Sequence, residues 1–234
     1  MIDRSTVEPI DDFRGFGIEA FTTTRALGTF GTNGDEPVAQ VMGRWAALQS
    51  DVGRVAPRLV TGRQVHGARV VAHGGGWQGW LRTDDADGHL ATERGTAMAV
   101  TVADCVPVFL CHPSGVAALL HSGWRGTAAG ILGAALSAFQ SRGLRLADLA
   151  LHLGPAICGD CYEVSPDVHA QLTGTTVDRP TPVDLRAILA SQAAARGVRQ
   201  IAISPFCTRC HRDRFFSHRG GDTGRQVGVL VVPG

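Results

Sequence analysis

The stretch from Thr101 to Gly126, TVADCVPVFLCHPSGVAALLHSGWRG, does most to decide what this chain can fold into. Val106–Cys111 and Val116–His121 are apolar runs rich in Val, Leu and Ala, and the His-Pro-Ser-Gly between them is turn chemistry. Together they predict a buried hairpin. Polar residues stand where such a hairpin should have none. Asp104 and Cys105 interrupt the way into the first strand, and His121 ends the second. A three-residue loop over His112–Ser114, with a bulge at Gly115, sets Cys105 opposite His121. A four-residue loop shifts the pairing by one and turns the two side chains to opposite faces. The sequence allows both.

The rest of the chain alternates strands and helices. Strands are expected at Gly17–Thr24, in two runs of PRLVTGRQVHGARVV broken at Gly67, at Ala97–Val102, and in DLALHLGP, VRQIAISP and RQVGVLVVPG. EPVAQVMGRWAALQSDVG has helical spacing at Val38, Val41, Trp45 and Leu48 and stops at Gly53. A helix is expected from an N-cap at Thr127 to a stop at Gly143, and another from Ser165 with Pro166 in its first turn. A third runs from Thr181 through Asp184 to Gly197, while GGGWQGW and RTDDADGHLAT read as loops. The interleaving implies an α/β or α+β fold with mixed sheets flanked by helices. No linker divides it, so residues 1–234 are expected to form one domain.

Composition narrows the function. The chain has 234 residues, 44% of them hydrophobic and 18% charged, enough to bury a core without disulfides or metals. A formal charge of +1 and the lack of a basic stripe give no reason to expect nucleic acid or an anionic membrane as partner. The start, MIDRSTVEPIDD, is too acidic and polar for a signal peptide. The apolar stretch Ala97–Cys111 carries Asp104 and is too short to span a bilayer. A cytoplasmic protein is expected, with its six cysteines as thiols, metal ligands or catalytic groups.

From the residues alone, Cys105 with His121 supports either a Cys–His nucleophilic pair or two ligands of a metal. Beyond them, SGWRGT offers Arg125, a helix start, and the close approach that Gly123 and Gly126 permit, a place for an anion.

Six motifs in series carry a resemblance: RQVHGARV (Arg63–Val70), DADGHLAT (Asp85–Thr92), TVADCVPVFL (Thr101–Leu110), HSGWRGTAAGI (His121–Ile131), LGPAICGDCYEV (Leu153–Val164) and CTRCHRDRFFSHR with TGR (Cys207–Arg225). The chain resembles the YfiH-like, laccase-domain family, known also under the names polyphenol oxidase, purine nucleoside phosphorylase and peptidoglycan editing factor. FTTTRALGTFGTNG fits the family's entry segment only in part, and His218 stands where Tyr is common.

The resemblance implies a layered fold and one zinc held by His66, Cys105 and His121. Two His and one Cys leave a fourth position for water or substrate, the mark of a catalytic zinc. Asp104 and Asp87 become candidates for orienting an imidazole, moving a proton or, for Asp87, touching substrate. Arg125 and Arg63 are candidates for binding phosphate. The implied activity is phosphorolysis of adenosine, inosine, guanosine or methylthioadenosine, or deamination of adenosine. A peptidoglycan precursor is an alternative substrate.

Copper is the second-choice metal. A multicopper oxidase builds its cluster mostly from His-x-His pairs; this chain has nine His and no such pair. An axial Met is hard to place among Met1, Met42 and Met98. A different class of enzyme, a metal-free hydrolase or deamidase, would use Cys105 as nucleophile and His121 as base. His66 separates the two readings, because a thiol hydrolase needs no third ligand. A binding module without catalysis is the remaining class.

Four cysteines remain in two Cys-x-x-Cys pairs, Cys158/Cys161 and Cys207/Cys210; Cys111 is expected in the core. A shared metal, a redox-sensitive cluster and independent thiols all stay open, with independent thiols the default. A shared zinc requires the four sulfurs to lie within about 4 Å of one another.

Overall fold

The structure is a computed structural model that describes residues 3–234. In chain order the strands are β1 (Val7–Ile10), β2 (Glu19–Thr23), β3 (Arg58–Gly62), β4 (Val70–His73), β5 (Gly79–Thr83), β6 (Gly88–Ala91), β7 (Thr96–Val102), β8 (Val106–Cys111), β9 (Ala117–Ser122), β10 (Ala150–Leu153), β11 (Glu163–Val164), β12 (Thr181–Pro182), β13 (Gln200–Ile203) and β14 (Gln226–Val232). The helices are α1 (Val38–Val52), α2 (Trp124–Ala128), α3 (Ile131–Gln140), α4 (Pro166–Thr173) and α5 (Leu185–Ala195).

Two six-stranded sheets carry the fold, ordered β1-β2-β14-β7-β3-β5 and β13-β10-β8-β9-β6-β4, with β11 and β12 as a separate ladder. Both large sheets mix parallel and antiparallel pairs: β3 runs parallel to β5 and β7, and β10 parallel to β13.

Alternation along the strands explains the layers. Phe109 and Cys111 of β8 pack with Met98 and Val100 of β7 and Leu230 of β14, so one core lies between the two sheets. Val106, Val108 and Leu110 point the other way, onto Leu132 and Leu136 of α3 and Leu189 of α5. Ala97 and Ala99 of β7, with Val227 and Val229 of β14, cover Trp45 and Leu48 of α1. The order is helix, sheet, sheet, helix. A strand buried on both faces has no need of polar alternation, which is why β8 reads as a continuous apolar run. Among the described residues no helix is long and apolar enough to cross a membrane.

Several local expectations are corrected. The β8–β9 pairing sets Pro107 opposite His121 and Cys111 opposite Ala117, with His112 N–H donating to Val116 C=O at 3.0 Å. The loop is therefore Pro113–Gly115, with Gly115 at φ 91°, and the pairing differs by two residues from the register that set Cys105 against His121. A shift of two keeps side-chain parity, so the thiol and the imidazole still share a face.

The helix expected from Thr127 to Gly143 is two helices, because Gly130 sits at φ 81° between them. Thr127 is inside α2, where its hydroxyl donates to Gly123 C=O at 2.9 Å. Asp184, not Thr181, caps α5 by accepting from the N–H of Arg186 and Ala187. Thr181 and Pro182 form β12 instead. β5 and β6 occupy stretches that read as loops. Ser165 does cap α4 with Pro166 in its first turn, and α1 stops at Gly53, although Val38 of its expected stripe is exposed.

Candidate metal centre

Three chain segments meet at the open end of the β8–β9 hairpin. Cys105 precedes β8, His121 lies near the end of β9, and His66 lies in the turn between β3 and β4. One ligand atom from each falls within 4.8 Å of the others. The two imidazoles cross edge to face at 4.7 Å between centroids. His121 is buried, Cys105 half-buried and His66 exposed, so the cluster is anchored in the core and open to solvent on one side.

Asp87, fully buried at the start of the β6 segment, organises this meeting. Its Oδ1 accepts from His121 Nδ1 at 2.8 Å and from His66 N–H at 2.9 Å. Its Oδ2 accepts from the N–H groups of Gly67 at 2.8 Å and Val65 at 3.1 Å. One carboxylate thus fixes the turn that carries His66, a residue at φ 60°, and the ring orientation of His121. With Nδ1 committed to Asp87, Nε2 is the nitrogen left for a metal. Burial pushes the Asp87 carboxyl up, but these hydrogen bonds outweigh it and hold it below the usual value. Its oxygens are filled, which places Asp87 behind the imidazole rather than against substrate.

Gly123 is required by space. Its φ of −83° suits any residue, but a Cβ there would lie 2.8 Å from Cys105 Sγ and 3.2 Å from His66 Cδ2.

The electrostatics couple the thiol to the imidazole. Burial pushes Cys105 up, yet the charge on His121 and hydrogen bonds from His121 and His66 bring it down to about 6. Burial pulls His121 down, yet Cys105 and Asp87 raise it to about 9. Without metal, the two form a thiolate–imidazolium pair. Two nitrogens and a soft sulfur around a small, partly open space form a donor set that suits zinc.

The other expected residues sit differently. Asp104, at φ 81°, is a brace: Oδ1 accepts from Thr208 Oγ1 and Oδ2 from Arg219 N–H, both at 2.6 Å. Its C=O accepts from Ile157 N–H at 3.1 Å. Arg63 is exposed and ion-paired with Asp85 at 2.5 Å. Arg125 is exposed on α2, its guanidinium 4.4 Å from the centre of the Trp124 ring. Of the methionines, Met98 is in the core between the sheets and Met42 is exposed on α1, while Met1 lies outside the described residues.

His73 and His89 contact each other at 3.1 Å, and His152 contacts Asp12 at 2.8 Å. Thr208, Arg219 and Tyr162 were not singled out from the sequence. Tyr162 lies near enough to Cys105 and Arg125 to feel their charges, and Arg219 stacks on its ring at 5.1 Å. All three lie within the motifs LGPAICGDCYEV and CTRCHRDRFFSHR, but no residue type or spacing there sets them apart.

Residues 22–233 match the family described as multi-copper polyphenol oxidoreductase laccase. A Streptomyces coelicolor protein named purine nucleoside phosphorylase is 38% identical over 208 residues, spanning 86% of this chain and 85% of its own. A protein named adenosine deaminase, from an unknown prokaryotic organism, is 31% identical over 242 residues, 89% of this chain and 92% of its own. The crystal structure of YlmD from Geobacillus stearothermophilus superposes with a TM-score of 0.83 at 28% identity over 93% of each chain. YfiH of Bacillus licheniformis shares the fold, with a TM-score of 0.86 at 23% identity over 99% of this chain and 98% of its own. By its matched length and by its layered fold, the chain belongs to the multi-copper polyphenol oxidoreductase laccase family, the YfiH-like laccase-domain proteins.

Proposed function

We propose that this chain is a zinc enzyme of purine nucleosides, and that its reaction is phosphorolysis to free base and ribose 1-phosphate. The observation that carries the reading is the convergence of His66, Cys105 and His121 within 4.8 Å at a solvent-facing mouth. The names of the relatives, purine nucleoside phosphorylase and adenosine deaminase, support the substrate class.

Zinc bound by these three residues would supply a Lewis acid with an open position. The chain's own residues do the rest. Asp87 holds His121 in the tautomer that offers Nε2. Arg125 is the cation for phosphate: it is exposed and stacks on the Trp124 face, whereas Arg63 is already paired with Asp85. In the reaction the bond from ribose C1′ to the purine nitrogen breaks, a C1′–O bond to phosphate forms, and the base leaves with a proton.

A second reading has its own observation. The lowered Cys105 and raised His121 make a thiolate–imidazolium pair in the metal-free protein, the ground state of a thiol hydrolase. That reading needs no third ligand and leaves His66 only the smaller task of helping to lower the Cys105 thiol.

Chromatography of adenosine, inosine and methylthioadenosine reactions, with and without phosphate, separates the possibilities. Phosphorolysis is expected to release base and ribose 1-phosphate only with phosphate, and Arg125→Ala to raise the KM for phosphate more than that for nucleoside. Inosine formed from adenosine without phosphate would make deamination the main reaction. No turnover of any nucleoside, beside efficient turnover of a muramyl peptide precursor, would overturn the reading.

A further inference from the structure

The two Cys-x-x-Cys pairs, far apart in the sequence, meet. Cys158–Cys161 follows β10 and Cys207–Cys210 follows β13. These strands are parallel neighbours with Leu151 beside Ile201, so their C-terminal ends leave the sheet side by side. A parallel bridge between Ala156 and Cys207 carries the pairing onward, with Thr208 N–H donating to Ala156 C=O at 3.1 Å. The four sulfurs then lie within 4.8 Å of one another, and Cys161 Sγ is 3.5 Å from Cys210 Sγ.

Four sulfurs around a tetrahedral zinc at about 2.3 Å stand about 3.8 Å apart, so a shift of about 1 Å or less brings the widest pair to that spacing. The backbone is already turned toward the sulfurs. Cys207 Sγ accepts from Cys210 N–H at 3.5 Å, across its own Cys-x-x-Cys turn, and from Cys158 N–H at 3.3 Å, across to the other pair. Such N–H groups favour thiolate over thiol. Arg209, between Cys207 and Cys210, donates to Cys161 C=O at 3.2 Å and puts a cation beside a site that would carry net negative charge. Cys207 is buried, Cys158 and Cys161 half-buried and Cys210 exposed, so an ion can enter from one side.

A single disulfide accounts for less. It would join two cysteines and give no reason for the other two to converge on them. Four thiolates and no open position are the donor set of a structural site.

The site also has something to hold. Thr208, inside the second pair, bonds Asp104 through its hydroxyl, and Ile157, just before the first pair, donates its N–H to Asp104 C=O. Tyr162 directly follows Cys161. Both loops therefore press on the residue next to Cys105.

We propose that Cys158, Cys161, Cys207 and Cys210 bind one structural zinc, separate from the His66–Cys105–His121 centre, which clamps the two loops bracing Asp104. Binding replaces four S–H bonds by four S–Zn bonds and releases four protons to solvent.

The test is a zinc count per chain on the full-length protein, loaded with zinc under reducing conditions, for wild type, His66→Ala and the double variant Cys161→Ser/Cys210→Ser. The double variant is expected to hold one zinc fewer than wild type, while His66→Ala keeps the cysteine-bound ion. Loading wild type with cobalt(II) gives a second readout that needs no variant: sulfur-to-cobalt charge-transfer absorption in the near ultraviolet grows with the number of Co–S bonds, so a tetrathiolate site absorbs far more strongly than the single thiolate of Cys105 can. If the serine variant does not fold, the exposed Cys210→Ser alone and the cobalt spectrum still decide. An unchanged zinc count in the serine variant overturns the proposal. So does rapid reaction of all four wild-type thiols with a thiol reagent in the zinc-loaded protein, or a Cys161–Cys210 disulfide found by mass spectrometry in reduced preparations.

Discussion

Replacing Asp87 by Asn removes one negative charge and almost no volume, so its effect isolates the hydrogen bonds that build the centre. Oδ1 serves His66 N–H and His121 Nδ1, and Oδ2 serves Val65 N–H and Gly67 N–H. An amide has one oxygen, so its NH2 group must face one of these two pairs. Turned toward Oδ2, it faces two backbone donors. Turned toward Oδ1, it faces one donor and forces His121 Nδ1 to accept, which places the ring proton on Nε2 and removes the lone pair a metal needs. Orphaning a donor costs about 1–3 kcal/mol, and water reaches part of this turn, so the pair costs about 2–3 kcal/mol. For a chain of this size that is a fall of roughly 4–12 °C in Tm. Zinc affinity should fall about 10–100-fold, the usual effect of losing a partner behind a liganding imidazole. Thermal melts with and without chelator, and zinc titration against a competing chelator, measure both. If Asp87→Asn melts within about 1 °C of wild type and holds zinc equally well, Asp87 does not organise the centre.

Two further outcomes follow from local geometry. Gly123→Ala puts a methyl group 2.8 Å from Cys105 Sγ, so metal affinity should fall about tenfold or more while the circular dichroism spectrum stays native; unchanged affinity would show that the space is not needed. Asp222 is held below its ordinary value of 3.8: burial pushes it up, but Arg212, Ser217 N–H and Arg25 together outweigh that. A depressed carboxyl stabilises the fold above its unfolded value and loses that contribution as pH falls through the lower folded value. The Tm gap between wild type and Asp222→Asn should therefore be widest near neutral pH and close below about pH 4; a gap that widens in acid would contradict the assignment.

What could be read from the sequence was what local chemistry decides. The apolar runs of β8 and β9, the cap at Ser165 and the stop at Gly53 follow from burial, hydrogen bonding and backbone freedom within a few residues. β6 was hidden because its segment looks polar. Asp87 and His89 suggest a loop, yet both are fully buried, Asp87 under four hydrogen bonds and His89 against His73. β5, at a sheet edge, was hidden because it opens on Gly79 and Trp80, the end of the glycine-rich run GGGWQGW. The break at Gly130 was masked by good helix formers on both sides. Neither the β8–β9 register nor the meeting of the cysteine pairs could be read locally. The first turned on which three residues make the loop, and the second on the parallel pairing of β10 with β13.

In the function proposed above, His66, Cys105 and His121 hold one zinc on which turnover depends. Zinc content and nucleoside turnover of His66→Ala, measured beside wild type on protein purified without added metal, test it most directly. One zinc per chain fewer is expected in the variant, with turnover lost alongside it. A variant that keeps wild-type zinc and wild-type turnover would contradict it.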